Sequence, residues 1–142
     1  MNFDGYILLG MLIATLGTLI VNIFQNRELS KQRWIEIYSH YTKRYADIIS
    51  NFPENINEEN FDLENNKDYR KIMRNMRLYF DLCYEEYMLH KYGKLDKKLW
   101  KEWEKGMKSA FGKKAFRDAW YKIKRDTSYP MDFVKFVEYQ MG

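Results

Sequence analysis

Any chemistry done by this chain would have to rest on Cys83, on one of two histidines, His40 and His90, or on paired carboxylates. Nucleophilic catalysis needs a thiol or hydroxyl beside a base. Cys83 lies in "YFDLCYEEY", with Phe80 three residues before it and Tyr87 four after it. That is a helical apolar stripe, so the thiol reads as buried and inert. Metal binding needs several ligands on facing helices. Glu86 and His90 are four apart, and Asp81 and Glu85 form a second pair. A di-iron bundle uses Glu-x-x-His instead, and the residue three before His40 is Ile37, three before His90 is Tyr87. Gly93, Gly106 and Gly112 stand singly, so no glycine-rich phosphate loop is formed. The expectation is a non-enzymatic chain with no metal site and no cofactor.

A second pattern bears on catalysis. "RWIEIYSH" sets Arg33 and His40 with six residues between them. This is similar to the Arg-x(4–6)-His pattern of the HEPN-type helical ribonucleases. The resemblance implies a pair acting on an RNA backbone. Trp34 stands where that family usually has a small polar residue, and Arg33 has another reading as a membrane-proximal positive charge.

Charge is concentrated further along. Residues 91–125 hold thirteen Lys or Arg and four Asp or Glu, a net of +9 against +4 for the whole chain. Lys97, Lys98, Lys101, Lys105, Lys108, Lys113 and Lys114 are interleaved with Trp100, Trp103, Phe111, Phe116, Trp120 and Tyr121. Three readings follow. An amphipathic pair of helices would turn the aromatics inward and the lysines to water. Alternatively, the lysines would lie on anionic lipid headgroups, or the basic and aromatic residues together would bind single-stranded nucleic acid. The helical spacing of the aromatics favours the first, with lipid second and RNA third.

The elements that must position these residues begin with "YILLGMLIATLGTLIVNIF", residues 6–24, inside a charge-free window from Gly5 to Asn26. Nineteen residues of helix span roughly 28 Å, close to the hydrocarbon thickness of a bilayer. A secretion signal would want a positive start and a small-residue cleavage site, whereas "MNFD" precedes the run and "FQNREL" follows it. The run therefore reads as a transmembrane helix. Arg27, Lys31 and Arg33 follow it closely, which predicts a single pass with the N-terminus outside and the rest cytoplasmic. A single cysteine fits a reducing compartment. Gly10, Ala14 and Gly17 share one face of the span. Small residues at that spacing let two helices approach closely in lipid, and they are also ordinary in spans.

Beyond the span the period is helical throughout. Trp34, Tyr38, Tyr41, Tyr45 and Ile48 form a stripe continuing from the anchor, and Tyr69, Met73, Met76, Phe80, Cys83 and Tyr87 form a second. Gly93 is placed to cap the second helix and Asp96 to start a third bearing Leu99, Trp100, Trp103, Met107 and Phe111. A fourth runs from about Lys114 to Arg125, and a short last helix carries Phe133, Phe136, Val137 and Met141. Residues 51–66 hold five acidic residues and no basic one, and read as a solvated loop. The fold class is all-α: an external tail (1–5), a transmembrane helix (6–26), a membrane-proximal helix (27–50), an acidic loop (51–66) and a helical bundle (67–142).

Phe80, Glu85, Gly93, Asp96, Trp100, Trp103, Phe116, Trp120, Phe133 and Phe136 lie in "YFDLCYEEY", "LWKEWEKGM", "AFRDAW" and "DFVKFVEY". This pattern resembles an uncharacterised bacterial family of short membrane-anchored helical proteins, across roughly residues 70–140. The family implies a shared core and no activity. In architecture the chain is also similar to the membrane accessory proteins of RNA-targeting CRISPR systems, which join a span to a HEPN-like helical domain. The expected function is a self-associating protein of the bacterial inner membrane, a membrane effector or pore-forming accessory of antiphage defence. Its expected partners are lipid, a second copy and a protein. The alternative is a membrane-tethered HEPN-like domain that binds or cleaves RNA.

Overall fold

The structure is a computed structural model that describes residues 3–142; Met1 and Asn2 of the expected external tail lie outside the described residues. Five helices form, and no strand is present among the described residues: α1 (Phe3–Ile49), α2 (Tyr69–Lys91), α3 (Lys97–Phe111), α4 (Lys114–Asp126) and α5 (Met131–Met141). The protein is all-α. It divides into two compact units, Met1–Ser39 and His40–Gly142.

The first unit is helical because no proline interrupts it and its apolar residues satisfy their backbone internally. Thr15 and Thr18 donate their hydroxyls back to the carbonyls of Met11 (2.8 Å) and Ala14 (3.0 Å), so neither needs water. Thirteen large apolar side chains between Tyr6 and Phe24 are exposed, Leu8 at 67% and Phe24 at 65% among them. This helix near the N-terminus is long and apolar enough to cross a membrane. Further on, Trp34 and Tyr38 stack on each other at 5.2 Å between ring centroids and stay exposed.

The second unit is a bundle with an aromatic centre. α2 packs on α3 and α4, and α3 also packs on α4 and α5. Phe80 of α2 stacks on Phe111 of α3 (5.4 Å) and lies 4.9 Å from Trp120 of α4, and Phe133 of α5 closes on Tyr84, Tyr87 and Trp120. Trp120 is fully enclosed and its Nε1 has no hydrogen-bond acceptor among the described residues, a desolvation cost of about 1–3 kcal/mol.

The helix ends have identifiable causes. Gly93, at φ 65°, takes the left-handed position after α2, where Lys94 N–H donates to Leu89 (2.8 Å) and Gly93 N–H to His90 (3.0 Å). That pair of bonds is a Schellman cap. Asp96 caps α3 through its carboxylate, which accepts from the N–H groups of Lys98 (2.9 Å) and Leu99 (3.1 Å). The 51–66 segment exposes all five acidic residues but buries Ile56, Phe61 and Leu63. It is a connection pinned to the core by three apolar side chains.

Candidate functional site

The residues singled out by sequence fall into separate places. Gly10, Ala14 and Gly17 are exposed on α1, and a Cβ added at either glycine would meet nothing within 4 Å. The helix itself therefore does not require glycine there. Lys97, Lys98, Lys101, Lys105 and Lys108 are exposed along α3 and make no ion pair among the described residues. Lys113 is half-buried, and Lys114 at the start of α4 pairs with Asp118 at 2.6 Å. Trp100, Phe111, Phe116 and Trp120 are buried, Trp103 is half-buried and Tyr121 is exposed. The basic face therefore offers charge, with most ring faces turned into the core.

Arg33 and His40 are both exposed on α1. His90 is exposed and stacks on Trp100 at 4.2 Å, while Glu86, four residues earlier, is buried. Among the described residues no three His, Cys, Asp or Glu side chains could hold a metal ion. Cys83 is buried and burial pushes its thiol pKa well up, which keeps it protonated.

Sequence reasoning missed a cavity of about 190 Å³ within the second unit. Tyr41 and Tyr45 of α1, Tyr79 of α2 and Trp103 of α3 supply its walls, and Glu86 of α2 supplies a carboxyl. Tyr41 and Trp103 lie 5.3 Å apart and Tyr45 and Tyr79 6.5 Å apart, by ring centroid. Tyr79 is buried while Tyr45 is 48% exposed, and exposed Thr42, Glu102 and Gly106 also line the space. The cavity therefore opens to solvent on their side.

Electrostatics sets Glu86 apart from its neighbour. The Arg44 guanidinium clasps both oxygens of Glu85, with Nη2 donating to Oε1 at 2.9 Å, and the Tyr41 hydroxyl donates to Oε2 at 3.3 Å. The Arg44 bond, with help from Tyr41, holds the Glu85 carboxyl below its ordinary range. Glu86 is 7% exposed, and its carboxyl makes no hydrogen bond or ion pair among the described residues. Burial pushes its pKa up to about 8, against a partial downward pull from Arg44. Glu86 belongs to a run Ile72, Met76, Tyr79, Cys83, Glu86 at spacings of four and three, all buried. A carboxylate in the register of a core stripe was the signal to follow.

No protein-family model matches this chain, and neither a curated protein nor a solved structure matches it.

Proposed function

We propose that the chain is a non-enzymatic single-pass protein of the bacterial cytoplasmic membrane that self-associates and presents a helical domain to protein or lipid partners. Its N-terminus is outside and its domain cytoplasmic, on the Arg27, Lys31 and Arg33 flank. The observation that carries this reading is the exposure of every large apolar side chain from Tyr6 to Phe24 on one uncharged helical segment. Each is worth about 1.5–3 kcal/mol when removed from water. Lipid is the solvent that removes all of them at once.

Self-association is supported by two features. Gly10 and Gly17 are not needed by the chain's own packing, and small residues on one face let a second span come close. Trp34 and Tyr38 leave an aromatic surface uncovered outside the span. The unpaired lysines of α3 suit phosphate-bearing lipid better than nucleic acid, because stacking on bases needs ring faces that the core has taken. The layout fits a membrane effector or pore-forming accessory of antiphage defence. Native mass spectrometry of the full chain in dodecyl maltoside tests the reading: an oligomer is expected, and monomer alone at every concentration overturns it.

A further inference from the structure

The cavity around Glu86 combines features that a plain packing defect lacks. Four aromatic side chains border it, the Glu86 carboxyl without a partner among the described residues sits among them, and it opens beside a second carboxylate, Glu102. We propose that this cavity binds a compact organic monocation, an alkylated ammonium group, whose charge rests against Glu86 and whose methyl groups contact Tyr41, Tyr45, Tyr79 and Trp103. Aromatic rings attract such cations through their quadrupole, most strongly where water is excluded. The size is suitable: about 190 Å³ exceeds the roughly 150 Å³ apolar cavity that takes a benzene molecule.

The local cation does not already fill this role. Arg44 is committed to Glu85, and its charge reaches Glu86 only at a distance. The titratable and charged groups around Glu86 are Tyr41, Arg44 and Tyr45 of α1, Tyr79, Cys83 and Glu85 of α2, and Glu102 of α3. Burial moves the Tyr41 and Tyr79 phenols and the Cys83 thiol further from ionisation, and Glu85 keeps Arg44 as its partner. A cation entering the cavity therefore meets Glu86 as the carboxyl free to ionise. Its proton leaves to solvent as the cation binds.

Isothermal titration of the full chain in dodecyl maltoside with choline, and with its neutral isostere 3,3-dimethylbutan-1-ol, tests this. Choline should bind, and more tightly than the alcohol. Its affinity should rise by about tenfold per pH unit from 6 towards 8 and then level off, because Glu86 must lose its proton. Glu86→Gln, which keeps the shape and the neutral state, should cut choline binding by about tenfold to a hundredfold and remove the pH dependence. Trp103→Leu should weaken choline more than the alcohol. Glycerophosphocholine separates a lipid headgroup from a free amine: its phosphate would face Glu102, so weaker binding than choline is expected, and equal binding assigns the same chemistry to a headgroup. Absence of choline binding, or equal binding of choline and alcohol unaffected by Glu86→Gln, overturns the proposal.

Discussion

A carboxyl that keeps its proton in the folded chain makes stability depend on pH, with or without a ligand. Burial raises the Glu86 carboxyl from its ordinary 4.5 to about 8 in the folded chain, so between those values the folded state binds the extra proton. Stability conferred by neutral Glu86 is therefore full below about pH 4 and is lost as pH rises to about 8. Glu86→Gln removes that slope. In urea titrations of the full chain in detergent the variant should match the wild type near pH 4. It should be more stable by an amount on the order of 4 kcal/mol at pH 7.5. Equal stabilities at both pH values would show Glu86 ionised and solvated instead. At this scale the sequence was half legible. Cys83 could be placed in the core from its stripe, because a thiol follows the hydrophobic period. Glu86 lies in the same register, but a carboxylate is expected at the surface, and only the packed neighbours Tyr79 and Trp103 show that it is buried.

Elements were legible where local chemistry decides them. Asp96 starts α3 and Gly93 ends α2 through bonds made within a few residues. Asp96→Ala should cost about 1 kcal/mol, read as a shift in the urea midpoint, since two amide donors lose their acceptor. An unchanged midpoint would mean the cap is redundant. The 51–66 segment was less legible. Its acidic residues are solvated, but Phe61 and Leu63 are 3% and 2% exposed, a burial that no local period in the segment announces. Leu63→Ala should destabilise by about 2–4 kcal/mol, whereas a surface loop residue would change almost nothing. On α1 the expected stripe divides: Ile48 is buried but Trp34 and Tyr38 are exposed, as periodicity gives a face without saying what covers it. If a second copy packs on the Gly10, Ala14, Gly17 face of the span, Gly10→Ile and Gly17→Ile should lower the oligomer fraction in native mass spectra. An unaltered distribution would place the contact elsewhere.

For the whole molecule, the sequence separates an apolar helical segment from a basic, aromatic-rich remainder, and the structure gives each its own kind of packing. Residues 6–24 bury nothing within the chain, while the second unit encloses Phe80, Phe111, Trp120 and Phe133 completely. Both facts follow from composition, since a uniformly apolar helix has no polar face to give to water. Partners and orientation are not written in the same way, because they depend on surfaces outside the chain. The central claim is that the first segment is solvated by lipid. Alkaline carbonate washing of membranes from cells making the full chain tests it most directly. The protein should remain in the membrane pellet, as an integral span does; its release into the soluble fraction would contradict the account.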